Sequence, residues 1–152
     1  YHRRVCWLAL CNFAKAVEDA DHTLGLMDFC REHSNDEQWT ITHEQYRPFV
    51  LFHRTQAAAL AALESDGPEA AIEEITSGLE RMRDVFERYD ALEQYDDDEL
   101  VTRLLETRET LRQKHEVGKT LQEQLAEAIA SEQYEVAARI RDELNRRNPR
   151  GR

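Results

Sequence analysis

The sequence predicts an all-α protein, and three observations carry that reading. Apolar residues recur at i, i+3, i+4 and i+7 in stretch after stretch, the spacing that gathers them on one face of a helix. Chain breakers are scarce: five glycines and three prolines in 152 residues, with Gly67-Pro68 standing between two long periodic stretches. No run resembles a strand-turn-strand series.

Taken in order, residues 1–31 read as two helices. Trp7-Leu8-x-Leu10 belongs to the first and Asn12 is the break. Phe13, Ala16, Val17, Ala20, Leu24 and Met27 then follow with helical spacing. His33 to Trp39 reads as a polar loop carrying one tryptophan, either exposed for binding or folded back over the helix ends. Thr42-x-x-Gln45 has the form of a capping box that opens the next helix. Pro48 places the start of that helix near Arg47, or else kinks it. The run Ala57 to Leu63 is apolar all round, which predicts a central helix with Ala58 and Ala59 buried.

Ser65-Asp66-Gly67-Pro68 is a turn, with Pro68 at the first helical position. Ala71, Ile72, Ile75, Leu79, Met82 and Phe86 make a clean amphipathic helix to about Tyr89. The acidic run Asp96 to Glu99 suits the start of the following helix, where negative charge meets the helix dipole. Leu100, Val101, Leu104, Leu105 and Leu111 carry that helix towards Val117, with Arg108 interrupting the stripe and Gly118 ending it. Leu121, Leu125, Ala128 and Ile129 form one further apolar face, and Val136, Ala137, Ile140 and Leu144 another. Ser131 between them reads as an N-cap with Glu132 in the first turn. The expected organisation is a helical-hairpin body over 1–117, a short hairpin over 119–147 and a basic tail over 148–152.

Charge narrows the function. The net charge is -11, which argues against a dominant nucleic-acid surface. The local exception is Arg139 to Arg152, six arginines against Asp142 and Glu143, a pattern that suits a helix C-terminus. No apolar run approaches a membrane span and no signal peptide is visible. Cys6, Cys11 and Cys30 are odd in number with no C-x-x-C pair, which fits a reducing cytoplasm. The chain opens at Tyr1-His2-Arg3 without Met and reads as a fragment of a longer protein.

Two resemblances follow from the residues. Leu121-x3-Leu125-x2-Ala128-Ile129, then Glu132-Gln133-Tyr134-Glu135-x-Ala137-Ala138-x-Ile140-Arg141-Asp142-x-Leu144, resembles the UVR motif. That motif is named for the repair proteins UvrB and UvrC, and it occurs in bacterial Clp-family chaperones and regulators of protein arginine kinases. The resemblance implies a bacterial-type, cytoplasmic protein that docks on another protein. The implied partners are a second UVR-bearing chain, a Clp-type chaperone or a copy of itself. Asn12 to Leu24 is similar to the second helix of a tetratricopeptide repeat, and the pair 44–63 and 68–89 has the same hairpin form. The connection from about Arg31 to Ile41 is too long for a 34-residue period.

Physical reasoning supports docking by the hairpin independently. Two short helices bury too little apolar surface to be stable alone. Leu125 and Ile129 supply apolar contact, Ala138 admits a close neighbour, and Tyr134 offers a ring with a polar tip. Glu135, Arg141 and Asp142 set orientation by charge. The alternative is that the hairpin caps its own chain.

A second candidate recognition surface is the polar and aromatic cluster of Trp39, His43, Tyr46, Arg47, His53 and Arg54. His53, on an otherwise apolar face, also reads as a core histidine bonded to Glu44 or Asp28. Cys30-x2-His33 is too little for a zinc site, so no metal and no cofactor is expected. There is no Gly-rich phosphate loop, nucleophile elbow or H-E-x-x-H, so no catalytic residue is assigned. The reading is a non-catalytic interaction module or adaptor. Its rivals are a DNA-repair accessory that touches nucleic acid and the regulatory piece of an enzyme whose catalytic domain lies upstream.

Overall fold

The computed structural model describes residues 2–147, and the basic tail expected at 148–152 lies outside them. The described chain is helical, without a strand, in two compact units, Tyr1–His115 and Glu116–Arg152.

The first unit runs α1 (His2–Ala9), α2 (Phe13–His33), α3 (Glu37–Glu44), α4 (Arg47–Ser65), α5 (Pro68–Arg88), a 3-10 turn (Leu92–Gln94) and α6 (Glu99–His115). Local chemistry sets most of the boundaries. After α1 the Asn12 N–H reaches back to the Trp7 carbonyl at 2.8 Å and the Cys11 N–H to Leu8 at 3.1 Å. Those two bonds satisfy carbonyls that the helix end would leave bare, with Cys11 in the left-handed region at φ 55°. Asn12 then caps α2, its side chain accepting from the Lys15 N–H at 3.3 Å. Gly67 takes φ 93°, a conformation that favours glycine, and Pro68 opens α5 behind it. Asp98 caps α6 through bonds from Leu100 and Val101 at 2.9 and 3.1 Å.

The core joins α4, α5 and α6: Leu51, Ala59, Ala71, Ile75, Leu79, Met82, Val85, Val101 and Leu104. Full burial of a side chain such as Ile75 or Met82 stabilises by about 1.5–3 kcal/mol. Helix α4 is central because it packs on both α2 and α5. The buried residues of α2 are Phe13, Ala16 and Ala20, and the two alanines are small enough to let a neighbouring helix approach closely.

Several expectations are corrected here. The stretch read as a loop through Trp39 is helical from Glu37 onward. Asp36 caps it by accepting from the Trp39 N–H at 2.9 Å, so only residues 34–36 remain as connection. Thr42 therefore sits inside α3 and bonds the Gln38 carbonyl, and it opens no helix. Helix α4 begins at Arg47 with Pro48 in its first turn and no side-chain cap. Ala59 is buried but Ala58 is only half-buried, because it lies between the faces that meet α2 and α5. Leu105 is 39% exposed on α6 rather than part of its buried stripe. That helix ends at His115, with Glu116 left-handed at φ 54°, rather than at Gly118. Arg108, half-buried, reaches Thr76 Oγ1 of α5 at 3.3 Å, which explains a charge in the apolar stripe.

The second unit is a hairpin of α7 (Leu121–Ala130) and α8 (Tyr134–Arg147), which pack against each other. A capping box opens α7. The Glu123 N–H donates to Thr120 Oγ1 at 3.3 Å, and the Glu123 carboxylate accepts from the Thr120 N–H at 3.0 Å. Ser131 ends α7 instead of opening α8, its N–H bonded to the Glu127 carbonyl at 2.9 Å. Glu132 takes φ 56° and the Gln133 N–H returns to Ala128 at 2.7 Å. The chain thus reverses in three residues, and Glu135, not Glu132, supplies the acidic first turn of α8.

Candidate functional site

In the hairpin, the buried apolar side chains are Ala128 on α7 and Ala137 on α8, small residues that let two helices approach. Leu121, Leu125, Val136, Ile140 and Leu144 are half-buried. The outer surface carries most of the predicted site residues, Leu125 being among the half-buried ones. Tyr134, Ala138, Arg141 and Asp142 stand at i, i+4, i+7 and i+8, so they share one face of α8. Tyr134 is 67% exposed and Ile129, just before the turn, 54%. Large apolar side chains left this open cost solvation, and clustered ones mark interaction surfaces. Glu135, Arg141 and Asp142 are exposed, and Ala138 is half-buried. Arg141 pairs with its neighbour Asp142 at 3.3 Å, an exposed contact of little energetic weight. Lys119 bridges to Glu127 at 2.6 Å across the start of α7. The Thr120-x-x-Glu123 box escaped the sequence reading although its signature is plain in the residues.

The second predicted cluster divides in the first unit. Trp39, His43 and Tyr46 line a cleft of about 480 Å³, together with Arg4 of α1, Leu26, Met27 and Cys30 of α2, and Phe49 and Val50 of α4. Trp39 and His43, one turn apart, hold their rings tilted at 36° with centres 4.0 Å distant. Their pairing is reinforced by a 2.7 Å contact between His43 Nδ1 and the Trp39 carbonyl.

Arg47 stands inside the fold rather than on a recognition surface. Its guanidinium donates to Glu44 through Nε at 2.6 Å and Nη2 at 2.7 Å, and it meets Asp28 of α2 at 3.0 Å. Tyr89, at the end of α5, donates its hydroxyl to the same Glu44 carboxylate at 3.0 Å. Burial by itself would push the Glu44 carboxyl up, but the bonds from Arg47 and Tyr89 hold it below its ordinary value. Burial, with the Glu44 charge beside it, raises the Tyr89 hydroxyl. This network ties the α3–α4 junction to α2 and α5, and it takes up the two carboxylates that His53 was expected to meet.

His53 instead packs among rings, edge-on to Phe49 at 4.3 Å and tilted to Phe52 at 5.6 Å. Burial and then the Arg4 charge push its imidazole below the ordinary value, which favours the neutral form. Arg54 bonds Asp21 of α2 at 2.6 Å, a clamp between α2 and α4. Neither His53 nor Arg54 lines the cleft. Leu26, Cys30, Phe49 and Val50, which do, carried no separate signal in the sequence, since an apolar residue on a helix reads as core whichever side it faces.

Among the described residues no helix is long and apolar enough to cross a membrane. No curated protein and no solved structure matches the chain. Residues 117–146 do match a family model, described as the UvrB/uvrC motif, and that match coincides with the α7–α8 hairpin.

Proposed function

We propose that this chain is a non-catalytic adaptor that docks on another protein through the outer face of the α7–α8 hairpin. The observation that carries the reading is the exposure of Ile129 and Tyr134 beside the turn of a UvrB/uvrC-type hairpin. The motif mediates protein–protein interaction and is itself non-catalytic. Ala138 sits on the Tyr134 face and governs how near a partner helix comes, while Arg141 and Asp142 on the same face orient it. The partners that suit this face are a second UVR-bearing chain, a Clp-type chaperone or a second copy, which would form a four-helix arrangement. Cys6, Cys11 and Cys30 are free thiols, which suits work in the reducing cytoplasm.

Ala138→Arg tests the reading, because arginine is a good helix former and the change adds only bulk and charge to that face. Light scattering of the parent, alone and mixed with a UVR-bearing hairpin, should report a complex. The variant should lose it while keeping its helical circular dichroism. Assembly equal to the parent's would remove the Ala138 face as the docking surface.

A further inference from the structure

We infer that the cleft between α2, α3 and α4 is a second docking site, whose occupant is an amphipathic helix with a bulky uncharged apolar stripe and basic flanks. Three observations define that occupant, and none of them involves the hairpin.

The first is the wall itself. It is made mostly of Leu26, Met27, Trp39, Tyr46, Phe49 and Val50. The polar groups that also line it are engaged within the chain: Arg4, 4% exposed, lies close enough to Asp19 for its charge to lower that carboxyl, and His43 Nδ1 meets the Trp39 carbonyl at 2.7 Å. Thr23 Oγ1 donates to the Asp19 carbonyl at 2.8 Å and Thr40 Oγ1 to the Asp36 carbonyl at 3.0 Å. Glu44 is held by Arg47 and Tyr89. A charged group entering the cleft would lose its hydration and gain no new partner from these groups, so the inserted side chain is uncharged.

The second observation is that the apolar surface continues past the cleft. Leu26 is 53% and Tyr46 59% exposed at its edges, and Phe29, one helical turn beyond Leu26 on α2, is 60% exposed with its ring stacked on His33 at 4.3 Å. A small molecule seated in the cleft would leave Phe29 in water. A helix laid across the cleft covers Leu26, Phe29 and Tyr46 together, the arrangement of aromatic anchors around a pocket that concentrates binding energy.

The third is charge. Helix α3 with its cap carries the exposed Asp36 and Glu37 and no lysine or arginine, its Glu44 being buried and already paired with Arg47. Glu37 is exposed one turn before Thr40, which lines the cleft. Arg47, the nearest arginine in sequence, is buried and engaged by Glu44 and Asp28. The rim on this side is therefore negative, and lysine or arginine flanking the partner's apolar stripe complements it.

Isothermal titration of the full chain with three synthetic helical peptides tests the inference. One carries leucines at i, i+4 and i+7 with lysines elsewhere. The second replaces the lysines by glutamates, and the third replaces the leucines by serines. The lysine–leucine peptide should bind saturably, one per chain, at least tenfold more tightly than either of the others. Leu26→Ser and Tyr46→Ser, both at positions more than half exposed, should each weaken it tenfold or more with little change in melting temperature. Glu37→Lys should weaken it several-fold. Absence of saturable binding overturns the inference. So does equal binding of the glutamate peptide, or binding by the serine variants at parental affinity, which would place the peptide elsewhere on an acidic surface.

Discussion

Gly78 of α5 lies directly against Thr55 of α4. A methyl group on Gly78 would overlap the Thr55 hydroxyl and methyl and stand 2.7 Å from its Cβ. Thr55 is itself buried, so neither side chain has water to move into. In an exposed helix, Gly→Ala stabilises by about 1 kcal/mol. Here the overlap wins, since forcing extra atoms into a packed seam costs about 1–3 kcal/mol. Gly78→Ala is expected to lower the melting temperature, and Thr55→Ala in the same chain to restore part of the loss. A Gly78→Ala protein that melts above the parent would show that α4 and α5 move apart freely.

The Glu44 network predicts an acid limb in stability. The folded carboxyl titrates below its unfolded value because Arg47 and Tyr89 favour the charged form over the opposing effect of burial. Its contribution is therefore complete above the unfolded value, about 4.3, and is lost as pH falls through the lower folded value. Glu44→Gln should flatten the melting-temperature profile in that range. At pH 7 it should cost about 3–5 kcal/mol, since it leaves Arg47 buried with only the partly exposed Asp28 as ionic partner. A variant that melts like the parent at pH 7 would mean that Arg47 finds water or another carboxylate.

The turn of the hairpin makes the opposite kind of prediction. Glu132 holds φ 56° where a side chain is disfavoured and glycine is not. Glu132→Gly should stabilise by up to about 1 kcal/mol, read as a higher midpoint for loss of α7–α8 amide protection in hydrogen exchange. A lower midpoint would mean that the Glu132 side chain makes a contact that outweighs its backbone strain.

Much of the helical framework is legible in local chemistry. Asn12, Gly67-Pro68 and Asp98 each act on backbone groups within a few residues of themselves, so their effect can be read without knowing the rest of the fold. The stripe Ala71, Ile72, Ile75, Leu79 and Met82 is likewise a property of one helix, and it is buried as expected. The UVR-like residues were recognisable for the same reason, because their pattern lies within two adjacent helices and one turn. Helix α3 was within reach but misread. Asp36 announces it, yet Trp39, Thr40, Ile41 and Thr42 are weaker helix formers, and the adjacent Thr42-x-x-Gln45 offered a competing start.

What tertiary structure alone decided is which faces meet. Glu44 and Tyr89 are 45 residues apart and Arg54 and Asp21 33 apart, and nothing local selects those partners over the many other charges on an acidic chain. Arg47 looked like a surface contact because the stretch around it mixes charged, aromatic and amide residues. Burial followed only once α2 brought Asp28 alongside. Gly78 had no visible role in its own helix until α4 placed Thr55 against it. The cleft that gathers Leu26, Trp39, Tyr46 and Phe49 arises in the same way, from three helices whose apolar residues outnumber the surface available to bury them. Periodicity tells which residues share a face. Packing, which depends on the shape and charge of faces far apart in the chain, decides whether that face becomes core, ion pair or open surface.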